Sequence, residues 1–455
     1  LIEANSEQRS GVAYMTSLRA ISLFSNCGAG DVGYKDAGFH FDVMAELDPR
    51  RLEVSLLNHP GAMGVSGDLR ETWPTVIATY RQIAGCESPA LLAACPPCQG
   101  MSSARSDRGQ GEDADAGSKD KRNLLVIVIA HVAHELRPSI VVVENVPAFL
   151  TRKIRHPSNH KPISAANLLI RLLEADYDVF PILVDLCDYG VPQTRKRSFL
   201  TFVRRDLRGL QEILAGNRAP YPRPSHAHDY GGAAPIKLCE ALKMSNLPSL
   251  DAKSIETAQS LIGKGLHSVP VWPHHRYSMV AAIPPNSGES AWKNNICEQC
   301  GPVNAKENDA VCPICNNPLL RPIVKMKDGT YRLVRGFRSS SYRRMSPNRP
   351  ASTITTASGH VGSDCTIHPF ENRVLSALEC AYLQTFPIDF NWGEALKKWG
   401  HTNVREMIGE AVPPLFTRLH GMALLGVLTG RWSVAPISTS DRRCISARKN
   451  LKLLP

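Results

Sequence analysis

No apolar run in this sequence reaches the roughly 20 residues that a membrane-crossing helix needs, so no membrane partner is expected. The opening residues LIEANSEQRSGVAYM lack the charged-then-apolar pattern of a secretory signal. Residues 1–17 are expected to form a flexible leader, with Met15 able to serve as a start, and the protein is expected in the cytoplasm, with the nucleoid of a prokaryote. No internal repeat is present, which argues against a solenoid or a propeller. Charge is not in excess: 21% of residues are charged and 43% hydrophobic, a balance that excludes general disorder. What the chain does have is length, and 455 residues predict two or three domains with a core large enough to need no staples. It also has thirteen cysteines, an odd count that argues against a disulfide framework and for metal ligands or a reactive thiol. The net charge of +11 fits a polyanion partner such as nucleic acid, or a basic surface without a target; composition leaves both open.

Up to about residue 205 the chain alternates strand-like and helix-like segments. Apolar runs at 18–24, 41–46, 90–94, 139–144 and 179–186 read as strands, and 124–136 and 166–175 have helical spacing. Runs too apolar for a solvated face, separated by helices, predict an α/β fold with a mainly parallel sheet covered on both sides. Ligands of such sheets sit at the carboxyl ends of the strands. Residues 105–122 are polar and aperiodic, and are expected to form a mobile loop. From about 206 to 345 the pattern is irregular and rich in proline, as in a separate smaller domain. Order returns over 346–434, with helices expected at 371–384 and 414–428; 435–455 is a basic tail, of which 438–455 is expected to fray.

The chemistry-bearing residues follow the strands. After the first strand comes Phe24-Ser25-Asn26-Cys27-Gly28-Ala29-Gly30-Asp31, whose small residues let backbone approach a ligand, although it is not the GxGxxG fingerprint. Glu46 could accept hydrogen bonds from ribose hydroxyls and Asp68 from an adenine amino group; either could equally be a solvated acid. The third run ends in Cys95-Pro96-Pro97-Cys98-Gln99-Gly100, where the prolines direct Cys98 outward into a Gly-containing loop. A thiolate there would be a competent nucleophile; a buried inert Cys98, or a redox pair with Cys95, are the alternatives. Glu144 ends a fully apolar strand and, when protonated, could donate to a ring nitrogen of a base. Alternation puts Gln193, Arg195 and Arg197 on one strand face, and paired guanidinium groups suit phosphate or carbonyl oxygen.

In this order, the motifs resemble the C5-cytosine DNA methyltransferases of prokaryotic restriction-modification systems. The resemblance rests on residues 24–33, Glu46, Gly67-Asp68, Pro96-Pro97-Cys98-Gln99, Glu144-Asn145-Val146, Gln193-x-Arg195-x-Arg197, Arg349-Pro350 with the following TITTA, and Gly409-Glu410-Ala411-Val412-Pro413-Pro414. It covers about 18–205 and 346–430. It implies a Rossmann-like S-adenosylmethionine-dependent domain. Cys98 would add to cytosine C6, Glu144 hold N3 and the amino group, Arg195 contact O2 and Arg197 support it. Cofactor contacts would come from Phe24, Asn26, Cys27, Gly28, Glu46, Leu47, Asp68, Leu69, Pro97, Glu410 and Val412. Asn26 and Ala29 stand where the family has glycine, Met101 where it has Phe, and Glu410 where it has Asn. An ionised carboxylate cannot donate a hydrogen bond, so Glu410 puts the local geometry in doubt.

The family places its target-recognition domain between the two matching blocks, here at 206–345. Inside it, Cys297-x-x-Cys300 and Cys312-x-x-Cys315, eleven residues apart, have the spacing of a four-cysteine zinc ribbon; free thiols or a redox pair are the alternatives. The family does not require this metal, which is read from spacing alone. From Arg321 to Arg349 there are nine Lys or Arg and one acid, interleaved with Tyr331, Phe337 and Tyr342. Such a run suits phosphate contact and base stacking. DNA contacts are expected from Ser102, Gln193, Arg335, Arg338, Arg343 and Arg344. The expected partner is duplex DNA, bound by a monomer, with any restriction endonuclease encoded separately. The alternatives are a tRNA cytosine-C5 methyltransferase and a catalytically inactive DNA-binding module.

Overall fold

The computed structural model describes residues 18–97, 121–335 and 339–452. A seven-stranded sheet organises the larger part of it. Its strands are β1 (Arg19–Leu23), β2 (His40–Glu46), β3 (Met63–Ser66), β4 (Leu91–Ala94), β5 (Ile140–Asn145), β6 (Tyr177–Asp185) and β7 (Lys196–Arg204), in spatial order β3-β2-β1-β4-β5-β7-β6. β1 to β5 run parallel, and β7 is antiparallel to both β5 and β6. Alternating side chains feed two cores. Ile21, Leu23, Val141 and Val143 face one layer, and Ala20, Ile140 and Val142 the other. The first layer holds helices α3 (Leu69–Ala84), α4 (Val126–Leu136) and α5 (Ala165–Leu173); the second holds α1 (Ala29–Asp36) and α6 (Arg208–Ala215). Helix α2 (Pro49–Asn58) joins β2 to β3. The order reverses between β1 and β4, where an open α/β sheet leaves a crevice.

Short helices at Leu238–Ser245, Ile255–Ala258 and His274–Ala281 lie in the irregular part, and beyond it come α7 (Ala377–Leu383), α8 (Ala395–Glu410), α9 (Pro414–Thr429) and α10 (Arg442–Leu451). Gly33 lets α1 cross α9 closely: a Cβ there would lie 2.1 Å from Thr417 Oγ1 and 2.2 Å from Pro414 O. α8 and α9 are 16 residues each and are separated by the extended segment 411–413, so neither reaches the length of a membrane crossing.

Several expectations change. β3 was not anticipated, because MGVS buries only Val65. The helix expected at 371–384 shortens to α7, since Arg373 is drawn into a buried pair with Glu379 and Ser376 caps the helix from outside. The tail does not fray through residue 452. Pro436–Ser438 pairs with Arg218–Pro222, and α10 buries Arg443, Cys444, Ala447 and Leu451 on one face. Arg443 bridges Asp188 at 2.6 Å and Asp229 at 3.0 Å. Nor does the sheet's core stop at 205: Leu210, Ile213, Ala219 and Tyr221 belong to it. The irregular part has its own core around Leu250, Trp272, Val280 and Ile283, closed by Val361, Ile367 and Val374 from beyond 345.

Candidate functional site

A cleft of about 490 Å³ opens where the sheet order reverses, walled by the loop after β1, the ends of β4 and β5, and the segment Glu410–Val412. The loop takes left-handed backbone at Phe24 (φ 58°), Asn26 (φ 49°) and Gly28 (φ 73°). Asn adopts this region more readily than most residues, which explains how Asn26 replaces glycine. Its N–H donates to Glu46 Oε2 at 2.8 Å, and Asp48 N donates to Oε1 at 3.1 Å. Burial pushes the Glu46 carboxyl above its usual range, against the pull of these two N–H groups and Arg51. Ser25 Oγ and Asn26 Oδ1, both in cleft-lining residues, are buried without a hydrogen-bond partner among the described residues.

Of the expected cofactor residues, Phe24, Asn26, Glu410 and Val412 line this cleft. Cys27 does not: it is fully buried in the core beneath the loop, and burial pushes its thiol up to about 12. Gly28 turns away too, packing on α2, where a Cβ would meet Ser55 Oγ at 2.6 Å. Asp68 caps α3, accepting from Arg70 N at 2.9 Å and from the Arg70 guanidinium, which holds its carboxyl below the usual range. Leu69 is core, Leu47 is exposed beside Glu46, and Pro97 is half-buried. Sequence reasoning passed over Asp31. It is 6% exposed on the cleft floor, accepts from Ser22 Oγ at 2.8 Å, and burial pushes its carboxyl up to about 7. The motif holds the residue, but nothing in the string shows that α1 turns it inward.

Glu410 meets Arg51 of α2 at 2.5 Å, and the same guanidinium approaches Glu406 at 3.8 Å. The carboxylate that replaces the family's Asn is therefore answered by a cation.

Glu144, at the end of β5, is nearly buried in the cleft wall and pairs with Arg197 Nε at 2.8 Å. Next to it, Asn145 Nδ2 donates to Pro96 O at 2.9 Å, docking the Pro-Pro segment against β5. Cys95 also lines the cleft; burial, then the charge of Glu144, pushes its thiol well above the usual range. Cys98 and Ser102 lie outside the described residues.

The two arginines sit in different surroundings. Arg195 is 1% exposed, and its guanidinium donates to Ile354 O (3.0 Å), Gly409 O (2.9 Å) and Ala411 O (2.9 Å). It clamps the wall that carries Glu410, while Arg197 faces Glu144. Gln193 is fully buried, donating to Leu383 O and Gln384 Oε1 and accepting from Ile354 N, so it cannot be the expected DNA contact. The strand begins only at Lys196, so alternation does not govern Gln193 and Arg195: these two are covered by the returning chain, while Arg197 stays partly open beside Glu144.

Arg344 is likewise interior, its guanidinium on the carbonyls of Ile283, Val280, His368 and Glu371, with burial pulling it down to about 10. It is not a DNA contact. Arg343 is half-buried, donating to Gly288 O at 2.6 Å; Arg335 is exposed; Arg338 lies outside the described residues.

The four spaced cysteines do come together. The Sγ atoms of Cys297, Cys300, Cys312 and Cys315 all lie within 4.8 Å of one another, and Cys297 and Cys315 are 3.5 Å apart. Ile314 N donates to Cys312 Sγ at 3.4 Å. Burial pushes the Cys312 thiol up, but the N–H groups of Cys315 and Ile314 and the neighbouring thiols outweigh it and bring it to about 7. Four soft donors at this spacing suit a tetrahedral Zn²⁺.

Comparison with known proteins gives a consistent picture. The family model described as C-5 cytosine-specific DNA methylase matches residues 18–421. The Type II methyltransferase M1.HgaI of Avibacterium volantium is 25% identical over 413 residues, covering 88% of this chain and 96% of that protein. The Type II methyltransferase M.DdeI of Desulfomicrobium norvegicum is 25% identical over 409 residues, covering 88% and 87%. Among solved structures, a candidate DNA modification methyltransferase encoded within a prophage (E. coli) superposes with a TM-score of 0.53 at 21% identity, over 90% of this chain and 99% of that one; this likeness speaks to fold alone.

Proposed function

The chain belongs to the C-5 cytosine-specific DNA methylase family, and from that premise we propose that it methylates C5 of a cytosine flipped out of duplex DNA, using S-adenosylmethionine and a transient bond from Cys98 to C6. One observation carries the reading: Asn145 fastens Pro96, two residues before Cys98, beside the Glu144–Arg197 pair on the cleft wall. The chain bearing the candidate nucleophile thus leaves β4 next to an acid and a guanidinium that suit the edge of a pyrimidine.

The cleft fits the cofactor's class. Its buried Ser25 Oγ and Asn26 Oδ1 have no partner among the described residues, and Glu46 presents a carboxylate close by. When bound, S-adenosylmethionine supplies an electrophilic sulfonium methyl. Cys98 attacks C6 as the thiolate, Glu144 holds N3 and the amino group, and C5 becomes enamine-like and bonds to the methyl as its bond to sulfur breaks and S-adenosylhomocysteine leaves. A base then removes the C5 proton and Cys98 is expelled. Covalent catalysis splits one hard step into easier ones, and a positioned acid adds roughly 10²–10⁴-fold. Flipping is needed because the ring faces are hidden in the stack, at a cost of about a few kcal/mol. Arg197, paired with Glu144, takes the place beside the base that the motif suggested for Arg195. The four cysteines, their sulfurs within 4.8 Å of one another, would hold a structural Zn²⁺. The likeness to Type II methyltransferases supports a modification role whose endonuclease is another chain.

Duplex DNA containing 5-fluorocytosine tests this, because fluorine blocks proton loss from C5. A covalent complex is expected, and none with Cys98→Ser; persistent trapping by that variant would refute the nucleophile. Methylation of tRNA but not of duplex DNA would refute the substrate.

A further inference from the structure

None of residues 323–335 buries its side chain. Ile323–Lys325 and Tyr331–Leu333 pair antiparallel, with Val324 opposite Arg332. The turn between them is closed: Met326 N donates to Thr330 O at 2.8 Å, and Gly329, at φ 87°, donates to Met326 O at 3.0 Å. Its one acid, Asp328, is used inside the turn, accepting from Thr330 N at 3.0 Å and Oγ1 at 2.6 Å. The cations Lys325, Lys327, Arg332 and Arg335 are exposed. A two-stranded ribbon that buries no side chain fully is marginal in water on its own.

This ribbon is rooted in the cysteine centre. Leu319 bridges Cys297 and lies in the small core of the four cysteines. Arg321, just before the ribbon, is 1% exposed; its Nε donates to Asn294 O at 2.7 Å, and its Nη1 to Lys306 O at 2.6 Å and Asp309 O at 2.8 Å. Those last two carbonyls belong to the loop between the cysteine pairs. A guanidinium keeps its charge at any working pH, so the carbonyls must stay around it. The pose of the ribbon therefore depends on the cysteines being held together.

We infer that the cysteine centre and the hairpin form one DNA-reading unit, in which a metal on Cys297, Cys300, Cys312 and Cys315 sets, through Arg321, the pose of a cationic ribbon that enters the major groove. The inference rests on the methyltransferase reading above. A β-ribbon fits the major groove, about 12 Å wide, and its Lys and Arg suit phosphates and guanine edges.

The test uses the full chain, a fluorescent duplex carrying the methylated sequence identified by bisulfite sequencing, and calorimetry with S-adenosylhomocysteine. In the double variant Lys327→Ala, Arg332→Ala, duplex affinity should fall about tenfold or more, and the slope of log affinity against log salt should drop by about two. Metal content and S-adenosylhomocysteine affinity should not change. Cys300→Ser should lose the metal and weaken duplex binding to a similar degree while keeping the cofactor; if it loses the cofactor as well, the hairpin variant decides. Wild-type affinity and salt slope in the hairpin variant overturn the inference, as does wild-type duplex affinity in metal-free Cys300→Ser, or an absence of metal in the native protein. A native chain that binds S-adenosylhomocysteine but no duplex defeats the methyltransferase reading, and this inference with it. One that methylates DNA while the hairpin variant binds normally defeats only the inference.

Discussion

Arg195 and Arg197 are two residues apart and should fail differently. Replacing Arg195 by Met strips three buried carbonyls of their donor, and should cost about 2–5 kcal/mol in chemical denaturation. Arg197→Met removes the half-open pair with Glu144 and one exposed bond to Lys196 O, and should lower kcat by roughly 10²-fold with little change in Tm. Asp31 gives a pH signature. The folded chain keeps its proton up to about pH 7, while the unfolded chain releases it near 3.8, so stability declines as pH rises between those values. Asp31→Asn should accordingly be more stable than the native chain by roughly 2–4 kcal/mol at pH 8 and about equal at pH 4, as read by urea unfolding. At the cleft rim, Arg51→Met leaves Glu410 facing Glu46 uncompensated, and should weaken S-adenosylhomocysteine binding about tenfold; Glu410→Asn in the same chain should restore it. The residue types at these positions were all readable from the sequence. Their burial was not, because Gln193 and Arg195 are covered by chain more than 150 positions away.

Among the elements, the strands with β-branched or apolar runs could be read directly, since SIVVVE leaves no solvated face. The failures came where a long-range pair overrode local periodicity. Helix α7 is short because the buried Arg373 holds Glu379 by two hydrogen bonds, of 2.6 and 2.8 Å. Burial alone would raise the Glu379 carboxyl; Arg373 instead holds it at about 2. The contribution is present above the unfolded value of 4.5 and fades as pH falls through about 2. Glu379→Gln should thus cost about 3 kcal/mol at pH 7 and little at pH 2, measured by denaturation at each pH.

In the whole molecule, the motif order carried the fold class, and the cysteine spacing anticipated the convergence of four thiols. The domain limits did not follow from composition, because packing ignores chain order. The basic look of 435–455 hid a stripe of Cys444, Ala447 and Leu451 that closes the sheet's two cores. Ending the chain at residue 434 should leave Asp188 and Asp229 without Arg443 and bare that apolar surface, giving a product that aggregates on expression, as sedimentation would show.

The far wall of the cleft, Glu410–Val412, is translated nearly four hundred residues after the loop it faces. A fragment that stops short of this segment holds only half of the crevice, so any ligand that needs both walls should bind it weakly or not at all.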